Sequence, residues 1–227
     1  MKLAVLFSGG KDSTLALYKT MQKHEVVCLI SIFSKNNESY MFHVPNIEIT
    51  KLQAESIGLP LVQKTTKGEK EKELKELKEA VKEAKDRYKI EGIVTGAVES
   101  VYQSSRIKKI CDELNLHCIN PLWKMDQIKL LNETLDNGFK TIISGIFAYP
   151  FRKEWLGKAI DKKMISQLNE LWEKYKFNPA GEGGEIETTV LDTPFFRKKI
   201  EVAESEIIDN KDSGVYRIKK AKLIEKS

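Results

Sequence analysis

One hexapeptide near the start of the chain, Ser8–Ser13 with the sequence SGGKDS, restricts the possible folds more than any other stretch. An apolar run, Leu3–Phe7, precedes it, and a periodic pattern that predicts a helix over residues 13–23 follows it. A strand, a glycine turn and a helix start in this order direct backbone N–H groups toward an anion. The sequence therefore predicts a phosphate-binding loop in an α/β fold.

Two other nucleotide-binding motifs do not fit this loop. A Walker loop needs glycine five positions before the Gly-Lys pair and Ser or Thr after the lysine, but Val5 and Asp12 stand there. The dinucleotide fingerprint G-x-G-x-x-G is excluded because Gly9 and Gly10 are adjacent. A tight turn without a ligand is the structural alternative. The hexapeptide resembles the Ser-Gly-Gly-x-Asp-Ser signature of the PP-loop ATP pyrophosphatases, which bind ATP and cleave it between the α and β phosphates.

Predicted strands and helices alternate after the loop. Buried runs such as Val26–Phe33 and Phe139–Ile146, separated by helical patterns, repeat a β-α unit about five times. We therefore expect an α/β fold with a doubly wound, mainly parallel, Rossmann-like sheet, and the loop signature implies the adenine nucleotide alpha hydrolase type. Ligands of such sheets lie beyond the carboxyl ends of the strands. The strand ends expected at that rim carry Ser8, Ser31–Ser34, Gly96 and Ser144–Gly145.

The composition changes after Pro150, and alternating apolar and polar residues from Phe195 onward predict an antiparallel β segment. We expect a PP-loop ATP-binding domain at 1–125 and a smaller α+β substrate-binding domain at 126–227, with a boundary that the pattern places only between 125 and 150. Within the first domain, Asn46 is predicted to cap the start of a helix that ends at Gly58.

The charged residues and the cysteines exclude several classes of protein. Residues 69–89 interleave lysine and glutamate, which predicts a solvated outer helix rather than a nucleic-acid-binding arm, and the net charge of +5 is modest. Cys28, Cys111 and Cys118 form no C-x-x-C pair, so we expect buried thiols rather than a zinc or redox site. No apolar run approaches the roughly 20 residues of a membrane span, and we expect a soluble, cytoplasmic protein.

A second chemical motif is a glycine-rich acidic segment with no lysine or arginine between residues 180 and 194. Its acids are Glu182, Glu185, Glu187 and Asp192. Like charges this close repel, so they need water, a cation or a cationic ligand as a neighbour. Four interpretations stay open: a solvated turn, Mg²⁺ ligation together with phosphate oxygens, capture of a positively charged substrate, and a base for an incoming amine.

Taken together, the separated motifs resemble those of the diphthine–ammonia ligases (diphthamide synthases), PP-loop enzymes whose archaeal members end soon after a β segment. The resemblance spans residues 8–196 and rests on the loop, Gly96, Ser100-x-Tyr102-Gln103-x-x-Arg106, Pro121-Leu122-Trp123, Trp155-Leu156-Gly157, the segment Gly181–Thr188 and Asp192-x-Pro194-x-Phe196. That family amidates the diphthine carboxylate of translation elongation factor 2 with ATP and ammonium. The resemblance implies an acyl-adenylate, with AMP and pyrophosphate as products.

The same resemblance implies ATP as a cosubstrate, Mg²⁺, elongation factor 2 as the protein partner, no membrane or direct nucleic-acid contact, and room for a homodimer. Lys11 would neutralise charge on the departing pyrophosphate, Ser13 would contact phosphate, and Asp12 would position Mg²⁺ or order the loop. The implied nucleotide-binding residues are Ser8, Gly9, Gly10, Lys11, Asp12, Ser13, Ser31 and Gly96.

On the substrate side, the resemblance implies that Arg106 binds phosphate or the substrate carboxylate, with a plain surface arginine as the alternative. The acids would face the trimethylammonium group of diphthine, with Trp123 or Trp155 as an aromatic wall unless both tryptophans lie in the core. The implied catalytic residues are Lys11, Asp12, Arg106, Glu182, Glu185 and Glu187. The implied substrate-binding residues are Ser100, Tyr102, Gln103, Arg106, Trp155, Gly183, Gly184, Glu185, Glu187 and Asp192.

Two rival functions remain at this point. One is another PP-loop adenylating enzyme that acts on tRNA or a small molecule, although sulfur-transfer members commonly use paired cysteines that this chain lacks. The other is a non-catalytic sensor of adenine nucleotides, against which the joint presence of Ser8, Lys11, Asp12 and Ser13 argues. No glutamine-hydrolysing cysteine lies near the N-terminus, so free ammonium or a separate partner would supply the nitrogen.

Overall fold

The computed structural model describes residues 1–34, 45–67, 73–210 and 213–226, and these residues form two β-sheets with six α-helices. The strands are β1 (Lys2–Leu6), β2 (Glu25–Ser34), β3 (Leu61–Thr66), β4 (Gly92–Val94), β5 (His117–Ile119), β6 (Lys140–Ile146), β7 (Ile186–Asp192), β8 (Lys199–Asn210) and β9 (Ser213–Ile224). The helices are α1 (Lys11–Met21), α2 (Thr50–Ile57), α3 (Glu73–Tyr88), α4 (Val101–Glu113), α5 (Gln127–Asp136) and α6 (Lys162–Tyr175).

The first sheet confirms the predicted doubly wound architecture. Its five strands are all parallel and follow the order β3-β2-β1-β4-β5. The chain therefore proceeds outward from β1 in one direction and then from β4 in the other, so the strand order reverses between these two neighbours. A crevice opens at the carboxyl ends of the strands at such a reversal, and ligands of this fold bind there. The hexapeptide follows β1 directly.

Two apolar clusters cover the two faces of this sheet. Because side chains alternate along a strand, Leu3 and Val5 of β1 lie in one cluster and Ala4 lies in the other. The first cluster joins the sheet to α1, α2, α5 and α6 and to Ile143 of the second sheet. The second cluster packs α3 and α4 against the opposite face. The two sheets thus share one hydrophobic core, and the second sheet covers the face on which α1 lies.

The position of the predicted strand Phe139–Ile146 was wrong. The corresponding β6 does not extend the parallel sheet; it pairs antiparallel with β7 and β9 in a second sheet of order β7-β6-β9-β8. β6 is buried on both faces because it lies inside this sheet and against the shared core. A continuous apolar run of this kind does not distinguish a parallel strand from a central antiparallel one.

The structure also adjusts several helix ends. Gly58 ends α2 in the left-handed conformation as predicted, with φ of 81°. Asn46 is no side-chain cap, however: it has a φ of 62°, and its amide instead bonds β9, donating to the Tyr216 carbonyl (2.9 Å) and accepting from Ile218 N (2.8 Å). α1 begins at Lys11, two residues earlier than predicted. The predicted outer helix corresponds to α3, and residues 69–72 lie outside the described part.

The prediction of buried thiols is correct for two of the three cysteines and wrong for Cys118. All three cysteines are unpaired, Cys28 and Cys111 are buried, and Cys118 is partly exposed. Among the described residues, none of the helices has the length and apolar character needed to cross a bilayer.

Candidate active site

The hexapeptide forms a tight loop whose shape depends on Gly9. This residue has a φ of 79°, and a Cβ atom there would lie 2.3 Å from Oε1 of Gln53, so other residues are excluded by both strain and space. Gly10 occupies the position before α1, and its carbonyl accepts from the Thr14 N–H (3.1 Å). The hydroxyls of Ser8 and Ser13 lie 3.1 Å apart. The loop therefore presents the start of α1 beyond the end of β1.

The second sheet holds this loop in place. Val190 N of β7 donates to the Gly9 carbonyl (3.0 Å), and Lys11 N donates to the Thr188 hydroxyl (3.1 Å). Gln53, fully buried on α2, donates from Nε2 to the carbonyls of Gly9 (2.9 Å) and Val190 (2.7 Å). Sequence reasoning missed Gln53. The available signal was a polar residue on the apolar face of α2, four positions after buried Ile49 and four before buried Ile57.

Lys11 is the buried cation of the site. Only 3% of it is exposed, and its ammonium group donates to Asp12 Oδ2 (2.8 Å) and to the Ala180 carbonyl. Burial by itself lowers the pKa of this ammonium, but Asp12, Glu182 and Glu187 outweigh that effect, and the pKa is raised. Lys11 is thus held in the charged form, and it joins α1 to the segment that precedes the acidic residues.

Gln127 at the start of α5 fixes the carbonyl that Lys11 contacts. Its side-chain oxygen accepts from Ala180 N (3.0 Å), and its amide donates to the side-chain oxygen of Asn178 (2.8 Å). Sequence reasoning missed Gln127 as well, because its partners lie about fifty positions further along the chain and no local pattern connects them.

The two carboxylate oxygens of Asp12 have different surroundings. Oδ2 contacts Lys11, whereas Oδ1 is buried and has no hydrogen-bond partner within the described structure. A buried, unpaired carboxylate oxygen is costly unless an ion or a donor completes it. Mg²⁺ is commonly bound by one or two carboxylates together with substrate phosphates. Asp12 therefore fits the predicted role of a Mg²⁺ ligand beside a phosphate-binding loop.

Two acids of the glycine-rich segment lie close to this charged pair. Burial, together with the nearby Asp12 carboxylate, raises the pKa of Glu182 to about 7, although Lys11 opposes the shift. Burial raises the pKa of Glu187 to about 7 as well, against the opposing effect of Lys11 and with added repulsion from Asp12 and Glu182. Near neutral pH, both carboxyl groups can therefore take up or release a proton.

The ends of the other strands complete the site. Gly96, after β4, approaches α1 so closely that a Cβ atom would lie 2.8 Å from Ser13 N. The predicted place of Ser144–Gly145 at the rim of the parallel sheet was wrong, because β6 belongs to the second sheet, where Gly145 pairs with Glu187 of β7. Ser31 is buried, and its hydroxyl donates to the Phe7 carbonyl, so it ties β2 to β1 within the protein.

The motif at Ser100–Arg106 forms the first turns of α4. The Ser100 hydroxyl caps the helix by accepting from Gln103 N (3.3 Å), and the Arg106 guanidinium lies 3.3 Å from the centre of the Tyr102 ring. Glu99 N, in the same turn, donates to Glu182 Oε2 (3.2 Å). The turn that precedes α4 and the acidic segment are therefore in contact.

Several predicted site residues have other surroundings. Asp192 lies at the far end of β7 from Glu187 and pairs with Lys226 (2.7 Å). Trp155 is 6% exposed and packs on Phe151 in the shared core. The Glu185 carboxylate accepts from Gly183 N (2.9 Å) and from Asn178, so it holds its own loop together. Gly183, Gly184 and Trp123 are exposed to solvent.

Comparison with known proteins finds relatives over nearly the whole chain. A solved structure described as a predicted subunit of tRNA methyltransferase from Methanocaldococcus jannaschii aligns with a TM-score of 0.43 and 19% identity, over 86% of this chain and 98% of that one. The diphthine–ammonia ligase of Bos taurus is 34% identical over 228 residues, which cover 92% of this chain and 85% of that protein. The diphthine–ammonia ligase of Danio rerio is 32% identical, with 94% and 91% covered.

Two family models match the chain in sequence order. The diphthamide synthase N-terminal domain matches residues 1–118, which contain the phosphate loop and the parallel sheet except for the last residue of β5. The diphthamide synthase C-terminal domain matches residues 126–224, which contain the acidic segment and the whole antiparallel sheet.

Proposed function

The chain belongs to the diphthamide synthase family, and on that premise we propose that it amidates the diphthine carboxylate of translation elongation factor 2. The proposed reaction consumes ATP and ammonium and releases AMP and pyrophosphate. The named relatives are ligases, and this chain is an enzyme of the same class. We place the reaction in the cytoplasm, where a translation factor is available as a protein substrate.

One observation carries this proposal: a phosphate loop and two titrating acids converge on the same partly buried ion pair. Lys11 and Asp12 begin α1 at the strand reversal, and Glu182 and Glu187 approach them from the second sheet. A site for ATP needs the first group, and a site that accepts a cationic nitrogen donor needs the second. Their meeting at one point supports a reaction that joins phosphate chemistry to amide formation.

The first proposed step activates the carboxylate. A carboxylate resists attack by ammonia because it is negatively charged and its oxygen leaves poorly. Its oxygen therefore attacks the α phosphorus of ATP, the bond to pyrophosphate breaks, and an acyl-adenylate forms. Lys11 is the charged group available to the departing pyrophosphate, and the start of α1 adds a positive helix end. Arg106, stacked on Tyr102, is the cation that we assign to the diphthine carboxylate.

A Mg²⁺ ion accompanying ATP would be held by Asp12, whose Oδ1 has no partner among the described residues, together with phosphate oxygens. When bound, the ion supplies positive charge that offsets the negative charge of the phosphates.

The second proposed step forms the amide. Ammonium enters beside Glu182 and Glu187, and one of the two carboxylates takes a proton from it, leaving ammonia as the nucleophile. The pKa values of about 7 leave each acid partly ionised at neutral pH. Ammonia then attacks the acyl carbon, the bond to AMP breaks, and the surplus proton passes to the second acid or to water. No cysteine or glutamine-hydrolysing unit takes part in this scheme.

The test is an assay with ATP, ammonium and elongation factor 2 that carries diphthine. We expect equal amounts of AMP, pyrophosphate and amide, with the amide located on the factor by mass spectrometry. Release of AMP and pyrophosphate without amide formation would refute the proposed acceptor while leaving the loop assignment intact. Formation of ADP would refute the loop assignment itself.

A further inference from the structure

The thiols of Cys111 and Cys118 lie on the face of the parallel sheet that points away from the second sheet. Cys111 lies in the last turns of α4 and is fully buried, whereas Cys118 lies in the edge strand β5 and is partly exposed. The two thiols are close enough for each to shift the pKa of the other. The connection between the two elements is tight, because the Cys111 carbonyl accepts from Leu116 N (2.8 Å). A pair of thiols is therefore already assembled, although their sequence spacing does not resemble a C-x-x-C motif.

A surface pocket gives access to only one of these thiols. The pocket has a volume of about 320 Å³, and Cys118 lines it while Cys111 does not. Its other lining residues are Ser104, Ser105, Lys108, Asp112, Leu116, His117 and Asn120. A small polar molecule can therefore approach Cys118 from solvent, with Cys111 behind it in the apolar cluster.

The charges around the pair favour a thiolate at Cys118 rather than at Cys111. Hydrogen bonding with the Cys111 thiol lowers the pKa of Cys118, and the Lys108 ammonium lowers it further. Burial and the Asp112 carboxylate act in the opposite direction, but the net pKa is lowered. The same hydrogen bond, together with burial, raises the pKa of Cys111. Lys108 and Asp112 form an ion pair at 2.7 Å, so the two opposite charges at the edge of the pocket cancel. The accessible sulfur is thus also the more nucleophilic one.

We propose that Cys118 is a peroxide-reactive thiol and that Cys111 is its resolving partner. In the first step, the Cys118 thiolate attacks one oxygen of hydrogen peroxide; the O–O bond breaks, and Cys118 becomes a sulfenic acid while the other oxygen leaves as water after protonation. In the second step, the Cys111 sulfur attacks the Cys118 sulfur, the S–O bond breaks, and a second water leaves. The product is a disulfide between α4 and β5, and a thiol reductant restores the pair.

Cys28 gives this proposal an internal control. It is fully buried in the same apolar cluster, and burial raises its pKa to about 12. Because it has neither a thiolate nor access to the pocket, it should be inert under conditions in which Cys118 reacts. We expect an iodoacetamide-type reagent to alkylate Cys118 in the folded chain at least ~10-fold faster than Cys28.

The decisive experiment treats the full-length chain with hydrogen peroxide and identifies the products by peptide mass spectrometry. The wild type should lose two hydrogens in a cross-link between the peptides of Cys111 and Cys118, with Cys28 unchanged. Cys111→Ser should instead retain one added oxygen at Cys118, which a 1,3-dione reagent traps. Cys118→Ser should leave both remaining thiols reduced. Each variant is checked for folding by circular dichroism, with Cys28→Ser as the matched control.

Specific results would overturn the proposal. Oxidation of Cys28 at the rate of Cys118 would show that the pocket gives no selectivity. Oxidation of Cys118 in the wild type without a cross-link to Cys111 would remove the resolving role. If the serine variants do not fold, the alkylation rates of the wild-type chain still decide the first point and its cross-link decides the second. None of these readouts depends on the proposed amidation activity.

Discussion

The phosphate loop, Ser8–Ser13, and the acidic segment, Gly181–Glu187, approach each other around Lys11, and they are built in opposite ways. The loop is fixed by hydrogen bonds: Gln53 and Val190 hold the Gly9 carbonyl, and Thr188 accepts from Lys11 N. The acidic segment instead brings carboxylates out of water, so that the pKa values of Glu182 and Glu187 rise to about 7.

The loop therefore contributes a fixed shape to the site, and the acidic segment contributes charge. The loop receives its shape from the protein, so its geometry depends little on pH or on a bound ligand. The acids carry a charge that depends on pH and on any cation nearby, because a desolvated carboxylate is stabilised by either a proton or a positive neighbour. A reaction that first handles phosphate and then admits an ammonium ion needs one region of each kind.

Asp12→Asn should have the largest effect on the comparison, because Asp12 lies in the loop and its charge also raises the pKa values of both acids. We expect kcat to fall by ~10²–10³-fold, since the change removes the negative partner of Lys11 and the proposed Mg²⁺ ligand. The pKa values of Glu182 and Glu187 should also move down, because the Asp12 carboxylate contributes to raising both. Initial rates of pyrophosphate release measure the first effect, and the pH dependence of the residual activity measures the second.

The matched control is Asp112→Asn, which changes an exposed aspartate on α4. It should leave kcat unchanged within the error of the assay. Near-wild-type activity in Asp12→Asn would show that the loop works without this carboxylate and that Asp12 is not part of the catalytic site.

The two regions also differ in how far the sequence predicts them. The phosphate loop is a local motif between a strand and a helix, so residues 8–13 alone indicate both its structure and its ligand. The parallel sheet follows from the repeated β-α pattern, and its reversal lies at the predicted rim. The acidic segment was recognised as a motif, but its surroundings depend on β6, whose pairing could not be read from an apolar run.

The residues that sequence reasoning missed are those that connect distant segments. Gln53 joins α2 to the loop and to β7, and Gln127 joins α5 to the carbonyl that Lys11 contacts. No spacing rule links such partners, because they become neighbours only when the second sheet packs on the first. The same packing takes Trp155 into the core and leaves Asp192 beside Lys226.

Glu187→Gln tests the acidic segment directly. We expect kcat/KM for ammonium to fall by ~10²-fold, because the change removes a proton acceptor and a negative neighbour of the incoming cation.

Although Glu187→Gln lowers activity, it should raise the free energy of unfolding at high pH. The folded-state pKa of Glu187 is raised from 4.5 to about 7, so wild-type stability falls as pH rises between these values. At pH values above that range, the variant should be more stable than the wild type by ~1–3 kcal/mol.

Urea unfolding of the two proteins below and above this pH window measures that difference. The wild type should lose stability across the window through Glu187, and the variant should lose less. An identical pH dependence in the two proteins would contradict the raised pKa, and unchanged ammonium kinetics would contradict the proposed role of the carboxylate.

Gln53→Met tests the preorganised loop by removing the side chain that holds two carbonyls. The carbonyls of Gly9 and Val190 lose this donor, so the free energy of unfolding should fall by ~1–3 kcal/mol. We expect KM for ATP to rise by ~10-fold with a smaller change in kcat, because the loop becomes less ordered while the charged groups remain. Gln167→Met on α6 is the matched control and should change the free energy of unfolding by at most ~0.5 kcal/mol. A change in kcat alone in Gln53→Met would contradict a positioning role.

Glu185→Gln should have the smallest effect on activity. It tests whether Glu185 only supports the acidic segment, whereas Glu187 acts through its charge. The Glu185 carboxylate accepts through Oε2 from Gly183 N (2.9 Å) and through Oε1 from Asn178 N (3.3 Å). Glutamine has one side-chain oxygen, which can keep the shorter of these bonds while the longer one is lost. We therefore expect kcat/KM for ammonium to change by less than ~3-fold, whereas Glu187→Gln loses far more. Parallel assays of the two variants at one pH measure the contrast. Equal losses would mean that the segment acts through its total charge, and the distinction drawn from the contacts of Glu185 and Glu187 would then be wrong.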